Sequence, residues 1–412
     1  MNLGLYLNNS SDKKLIIQRI ISNEYLSEYV DLSTLKGALH STITINKLIE
    51  EELRHDRFII QTEENSTLKS MSSGQQKREL LQHLLAQNPE YIILDDVYGN
   101  IDTQTQTAIT HTLSQLSEKT IIIQLFFRKN DVLPCINTIL SICDNNLIIN
   151  AQETKSFLDS SHSQEVTPHQ FELPYQYNET HIDINPLVQL NDVSISYGDK
   201  KVLNKINWTI QQGEFWQLKG PNGSGKSTIL SLITGDNPKA YGQNIILFGR
   251  KKGTGESIWD IKQKIGYFTP SMIEQFQHDD TVENMIISGL LDSVGLYTKP
   301  SDLQKDIARS WISMLGSHYN NKSFQQLSIG RQRMVMVARA MVKHPPLLIL
   351  DEPTIELDDE NTSLFINMVN AIATKRKIAI LYVSHRQELA LNPDKILELV
   401  PAQDGSTGLL VL

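Results

Sequence analysis

The 412-residue chain predicts an α/β protein with largely parallel sheets, built from two tandem copies of one unit, the first truncated. Three observations carry that prediction. Apolar strand-like runs alternate with helical segments, the pattern of strands returned to one sheet through helices. One set of short motifs occurs twice at identical spacing. A glycine-rich loop of phosphate-binding type follows a predicted strand in the second copy and has no counterpart in the first.

The repeat is explicit. The first copy reads Met71-Ser72-Ser73-Gly74-Gln75-Gln76-Lys77-Arg78, then Tyr91-Ile-Ile-Leu-Asp95-Asp96, then Asp102. The second reads Leu327-Ser328-Ile329-Gly330-Arg331-Gln332-Arg333, then Leu347-Leu-Ile-Leu-Asp351-Glu352-Pro353, then Asp358. The interval from Ser72 to Asp95 equals that from Ser328 to Asp351, and the interval from Asp95 to Asp102 equals that from Asp351 to Asp358. Coincident spacing over several motifs points to duplication. A further strand-like run ends in Phe127-Arg128 in the first copy and His385-Arg386 in the second. The expected organisation is a degenerate half over 1–150, a linker over 151–186 and a complete domain over 187–412. The linker region carries Pro168, Pro174 and Pro186 and has six acids against one lysine. A flexible chain of that length spans roughly 30–36 Å.

Gly220-Pro221-Asn222-Gly223-Ser224-Gly225-Lys226-Ser227-Thr228 fits the P-loop pattern, with Phe215–Leu218 as the preceding strand and Ile229–Thr234 in the following helix. The glycines let backbone N–H groups form a concave nest for phosphate oxygens, and the helix adds its positive end. Lys226 reads as the contact to the β/γ-phosphates and Ser227 as a Mg²⁺ ligand. The buried strand Leu347–Leu350 delivers Asp351 to the metal and Glu352 to the attacking water, as general base or orienting group. His385, at another strand end, is placed for the γ-phosphate. Tyr197, upstream of the P-loop, reads as a stacking platform for adenine, with ordinary edge-strand packing as the alternative. The chain is thus predicted to bind ATP with Mg²⁺.

Composition narrows the remaining classes. The net charge of −9 disfavours a protein that coats nucleic acid through clustered Lys and Arg. The run Arg250-Lys251-Lys252 reads as a solvated loop before it reads as an anion contact. No apolar run approaches the ~18 residues of a membrane span. Two cysteines, Cys135 and Cys143, make no disulfide framework and read as core thiols. A cytoplasmic location follows, free or peripheral on the inner face of the membrane.

The order of Tyr197, P-loop, signature, Asp-Glu strand, Asp358 and His385 resembles the nucleotide-binding domains of ATP-binding cassette (ABC) proteins. Gly213-Glu-Phe-Trp-Gln-Leu, Leu230-Ser-Leu-Ile-Thr-Gly-Asp, Leu247-Phe-Gly-Arg-Lys-Lys-Gly-Thr-Gly-Glu-Ser-Ile-Trp-Asp-Ile-Lys and Ile265-Gly-Tyr are similar to the tandem subgroup of molybdenum-transport and photorepair ATP-binding proteins. The resemblance implies that two domains pair head to tail, each ATP lying between one domain's P-loop and the other's signature. Here that signature is Ser72, Ser73, Gly74 and Gln75. The glutamine usual after Ile265-Gly-Tyr is absent, with Thr269-Pro270-Ser271 in its place; in the family it links Mg²⁺ to a membrane partner. The first half carries Asp96 for the catalytic glutamate and Phe127 for the histidine. Counting back from Ser72 by the second half's spacing puts a first P-loop ahead of Met1, so that segment is expected to be missing. Intramolecular pairing of the halves is the expected arrangement, with a homodimer through the second halves as the alternative. Competing functions are an importer ATPase docked on separate permease subunits and a non-transport ABC protein acting on ribosomes or DNA.

Overall fold

The computed structural model describes all residues except 1, 56–57, 61–66, 72, 100, 144, 160–170, 175–183, 277–278, 376, 387, 389 and 412. Two compact units emerge: Met1–Val166 with Ile355–Glu360, and Thr167–Thr354 with Asn361–Leu412.

The first unit runs β1 (Leu3–Leu7), α1 (Lys13–Ile21), β2 (Gly37–His40), α2 (Thr42–His55), α3 (Ser73–Ala86), β3 (Tyr91–Asp95), α4 (Thr103–Leu116), β4 (Ile121–Phe126), β5 (Thr138–Cys143), β6 (Asn146–Glu153) and α5 (Thr154–Asp159). Its strands form one sheet in the order β2-β3-β4-β1-β5-β6, parallel except for β6. Alternate residues go to opposite faces. Leu3, Leu5, Ile93, Ile123 and Leu125 pack with Ile16, Ile17 and Ile20 of α1, while Ile92, Leu94, Ile122 and Phe126 pack with Leu80, Leu81 and Leu84 of α3. A parallel sheet covered on both faces needs mostly apolar residues, which is why residues 91–94 and 121–123 read as apolar runs, with Gln124 and Asp95 as buried polar exceptions.

The second unit adds β7 (Val188–Tyr197), β8 (Lys200–Ile210), β9 (Phe215–Lys219), α6 (Lys226–Ile233), β10 (Asn244–Leu247), β11 (Arg250–Lys251), α7 (Ile258–Lys262), β12 (Ile265–Phe268), α8 (Val282–Ser288), α9 (Asp302–Leu315), α10 (Ile329–Met341), β13 (Leu347–Asp351), α11 (Asp359–Thr374), β14 (Ala379–Val383), β15 (Lys395–Val400) and β16 (Thr407–Val411). The first residues of α11, Asp359 and Glu360, group with the first unit. An antiparallel sheet, β11-β10-β7-β8, stands beside a second six-stranded sheet, β12-β13-β14-β9-β15-β16. That order repeats the first unit's position by position, again parallel except for the last strand.

The repeat corrects one expectation. β1 occupies the place of β9, the strand that leads into the P-loop, and α1 follows it as α6 follows β9. The strand–loop–helix frame of a first P-loop is therefore present, and only its glycine-rich loop is lacking. The count from Ser72 failed because the first half is shortened between the frame and the signature. The stretch from Lys13 to Ser72 is much shorter than its counterpart from Lys226 to Ser328. The proposed linker also began too early. β6 continues to Glu153, and α5 seats Phe157 against Tyr6 and Phe126, with ring centroids 5.2 and 6.3 Å apart.

His40 ends β2, fully buried, with Nε2 on the Lys77 carbonyl at 2.9 Å. Burial, and then the nearby Lys77 charge, push its imidazole down to about 4. Its folded value lies below the ordinary 6.5, so the unfolded chain takes the proton first. The neutral ring thus contributes full stability above pH 6.5, lost as the pH falls toward 4, a difference of about 3 kcal/mol. Urea unfolding at pH 7 and pH 4.5 should show a smaller loss for His40→Gln than for the native chain.

Candidate nucleotide site

The second unit's P-loop is shaped by backbone that side chains resist. Gly223 sits at φ +76° with nothing within 4 Å of where a Cβ would stand, and Gly225, the N-cap of α6, sits at φ +98°. No side chain caps that helix, so its first N–H groups keep their positive end for an anion. Lys226 Nζ donates to the carbonyls of Gly220 (2.7 Å) and Pro221 (3.0 Å), which holds the ammonium over the loop. Ser224 Oγ is buried without a hydrogen-bond partner. An unpartnered buried hydroxyl inside a glycine loop is what a bound phosphate would satisfy.

Asp351 ends β13, and Glu352 follows with φ +49°, its N–H donating to the Val383 carbonyl at 2.8 Å. A left-handed glutamate is strained, and it persists only where its surroundings hold it. His385 supplies part of that hold. Its backbone N–H donates to Glu352 Oε1 at 3.1 Å, and its Nδ1 meets the same oxygen at 2.9 Å. An ionised carboxylate only accepts, so Nδ1 carries the proton. His385 Nε2 is buried without a partner.

Ser227, Tyr267 and Asp351 line one cavity of about 500 Å³ with Trp259, Lys262 and Lys343. The Tyr267 hydroxyl donates to Asp351 Oδ2 at 3.3 Å, a contact that sequence reasoning missed, since a tyrosine in a strand carries no motif. Among the described residues no group of three or more His, Cys, Asp or Glu could hold a metal alone. Ser227 and Asp351 supply two hard oxygen donors, which fits Mg²⁺ completed by phosphate oxygens and water.

Tyr197 is 46% exposed, its hydroxyl accepting from Asn237 Nδ2 at 2.8 Å and one ring face covered by the Lys239 ammonium at 5.8 Å. Pro221, Asn222 and Thr228 stand in the loop and first helical turn as expected. Of the basic run, Lys252 is buried against Glu256 at 3.3 Å, so it is no solvated loop residue.

The first unit repeats this frame with its chemistry altered. Asp12 caps α1, its carboxylate accepting from the Leu15 N–H at 3.1 Å, so a negative charge already holds the helix start where a phosphate would bind. Lys13, the first residue of α1, pairs with Asp95 at 3.2 Å and lies over the Phe127 ring at 5.4 Å. Asp96 repeats the left-handed turn at φ +48°, but its carboxylate faces the buried Lys77 at 3.5 Å. Phe127 packs in the core with Leu125 and Leu140. Of the first-half signature, Ser72 lies outside the described residues and Ser73 opens α3; Gly74 is buried and Gln75 exposed. The neighbouring Gln76 donates to the Leu68 carbonyl (2.7 Å) as Gln332 donates to that of Phe324 (3.1 Å), so the two signature helices are anchored alike.

A phosphate loop, an acidic strand end and a histidine on a parallel sheet define a P-loop nucleoside triphosphatase. A profile of the ABC transporter family matches residues 203–355. The chain is 32% identical over 390 residues to the ABC transporter ATP-binding protein ModF of Escherichia coli (strain K12), covering 90% of this chain and 79% of that protein. It is 30% identical over 333 residues to the uncharacterized ABC transporter ATP-binding protein C323.04 of Schizosaccharomyces pombe, covering 78% and 66%. Among solved structures, the RNase-L Inhibitor aligns over 99% of this chain and 85% of its own, with a TM-score of 0.61 at 14% identity, a likeness of fold. The chain belongs to the ABC family of ATP-binding proteins and is an ATPase.

Burial, and then the charge of Glu352, raise the Asp351 carboxyl to about 6. A folded value above the ordinary 3.8 means the fold resists this charge: the cost is absent below pH 3.8 and complete above pH 6, about 3 kcal/mol at most. Asp351→Asn should therefore raise the melting temperature of nucleotide-free protein at pH 7, and the gain should vanish near pH 4. An equal or lower melting temperature at pH 7 would contradict the strain assigned to this carboxylate.

Proposed function

We propose that the chain binds and hydrolyses MgATP at one composite site. Lys226, Ser227, Asp351, Glu352 and His385 of the second half form one side, and Ser72, Ser73, Gly74 and Gln75 of the first half form the other. The observation that carries the reading is an asymmetry. The half with a glycine-rich P-loop has the altered signature, and the half with the Ser-Ser-Gly-Gln signature has Lys13 and Asp12 closing its loop on the protein itself. In the second-half signature, Ile329 and Arg331 flank a Gly330 already crowded by the Asn361 side chain, which leaves no room for a Cβ.

The roles follow from the side chains. Backbone N–H groups of Gly223, Gly225 and their neighbours receive the phosphates, and Lys226 offsets their charge. Bound Mg²⁺ would supply further charge stabilisation on the phosphate oxygens. Glu352 orients the attacking water, which is a transition-state contribution. His385 holds Glu352 through Nδ1, and Nε2 meets a phosphate oxygen as a donor once it takes a proton. Tyr197 offers its free face to adenine. We read the protein as an ATP-binding protein of the ModF type acting in the cytoplasm. In the importer reading the chain would dock on separate permease subunits; among the described residues no helix is long and apolar enough to cross a membrane.

Ser72→Arg should abolish turnover, a loss on the order of 100-fold or more, while Ser328→Arg leaves it within about twofold. Glu352→Gln should keep ATP binding and slow hydrolysis by a similar factor. The reverse pattern for the two serines, or turnover per chain that climbs steeply with protein concentration, would favour a homodimer through the second halves.

A further inference from the structure

Two segments leave neighbouring strand ends of the second unit. Glu352, Pro353 and Thr354 follow β13, and His385 and Glu388 follow β14. They meet first where His385 Nδ1 donates to Glu352 Oε1 at 2.9 Å. They meet again at Thr354, whose hydroxyl donates to Glu388 Oε1 at 2.7 Å. Thr354 is buried and Glu388 half-buried. The hydroxyl of Tyr382, fully buried in β14, lies 3.3 Å from the Thr354 oxygen. Thr354 has one proton to give, and the carboxylate of Glu388 takes it. Tyr382 is therefore the donor to Thr354, and the three side chains form one run of hydrogen bonds from β14 across the exit of β13 and back.

This run fastens a turn that would not hold its own shape. Glu352 is left-handed at φ +49°, a conformation that a glutamate keeps only when its surroundings impose it. Its N–H donates to the Val383 carbonyl at 2.8 Å, and the Pro353 carbonyl accepts from Arg333 Nη1 at 2.7 Å. Those bonds fix the backbone of the turn. The bond from Thr354 to Glu388 fixes the turn against the segment that carries His385.

The first half carries the same frame with other partners. Leu94 stands opposite Gln124 as Leu350 stands opposite Tyr382, so Gln124 takes the place of Tyr382. The interval from Asp95 to Tyr98 equals that from Asp351 to Thr354, so Tyr98 takes the place of Thr354. The Tyr98 hydroxyl bonds Thr110 of α4, while Gln124 donates to the Asp131 carbonyl at 2.7 Å and accepts from the Leu133 N–H at 2.8 Å. That half has Asp96 and Phe127 in place of Glu352 and His385, and so no acid–histidine pair to align.

We propose that Thr354 and Glu388 are positioning residues of the ATPase: their hydrogen bond sets the two strand exits so that the Glu352 carboxylate stays on His385 Nδ1 before nucleotide arrives. The proposal rests on the roles given above to Glu352 and His385, and it adds the groups that hold those two in register. The bond is charge-assisted and shielded from water, which is where such a bond resists competition best.

The test uses the full chain. Thr354→Val keeps the shape and removes the hydroxyl. It should lower kcat by about tenfold or more with the KM for ATP within about twofold, as expected when only the reacting geometry shifts. Thr354→Ser, which restores the hydroxyl, should stay within about threefold of native. Glu388→Ala should match Thr354→Val, and the double variant should be no worse than either single one, because both remove the same bond. In nucleotide-free protein at alkaline pH, long-range proton–nitrogen NMR correlations of the His385 ring should report the Nδ1-protonated tautomer in the native chain and in Thr354→Ser. They should report a mixture of tautomers in Thr354→Val and Glu388→Ala. A residue that only stabilised the fold would lower the melting temperature and leave the tautomer alone. Should Thr354→Val fail to fold, Glu388→Ala at the half-buried partner decides the matter by the same readouts. A native kcat in either single variant, additive defects in the double variant, a defect that serine does not relieve, or an unchanged tautomer would overturn the proposal. Fast hydrolysis in Glu352→Gln would instead strike the role given to Glu352, and the His385 tautomer would still decide whether Thr354 and Glu388 hold the pair.

Discussion

The second half depends on the register between β13 and β14. Asp351 stands opposite Val383, and Glu352 donates its N–H to the Val383 carbonyl. That pairing sets two acids and His385 at adjacent strand ends, with Glu352 turned into the left-handed region so that its carboxylate meets the histidine. Because side chains alternate along a strand, a slip of one residue would move Asp351 to the opposite face and separate it from Ser227 and Tyr267.

The first half keeps the same constraint and uses it for structure. Asp95 stands opposite Leu125, and the Asp96 N–H reaches the Leu125 carbonyl at 3.4 Å. Here each group that would serve a nucleotide has a protein partner: Lys13 with Asp95, Asp12 with the start of α1, and Lys77 with Asp96. Lys77 also donates to the carbonyls of Asp96 and Gly99 at 2.7 and 2.9 Å, which is how a buried ammonium, 4% exposed, is tolerated. Ion pairs and a helix cap take up these positions in the first half.

Most of the second half was legible in the sequence because its chemistry demands particular residues at particular spacings. Glycines are needed where φ is positive and phosphate approaches, and Asp-Glu is needed at the end of an apolar run. The first half's β1 was not legible, since Leu3–Leu7 is an ordinary apolar strand and the loop after it has no glycine to mark it. Distance from the signature misled, because the shortened half no longer keeps the second half's spacing. The end of β6 and α5 were hidden for another reason. Residues 151–153, the last of β6, resemble a linker, and their membership shows only through pairing with β5. Tyr267 belongs to no motif; its contact with Asp351 exists only in the fold.

In the proposed arrangement one half carries the nucleotide chemistry and the other a protein-filled imitation of it. Counting bound nucleotide distinguishes this from two working sites. Labelled ATP retained by the Glu352→Gln chain at saturation should reach one molecule per chain and fall to none when Lys226→Ala is added. Two molecules per chain, or retention that survives Lys226→Ala, would show that the first half binds nucleotide and would contradict the account.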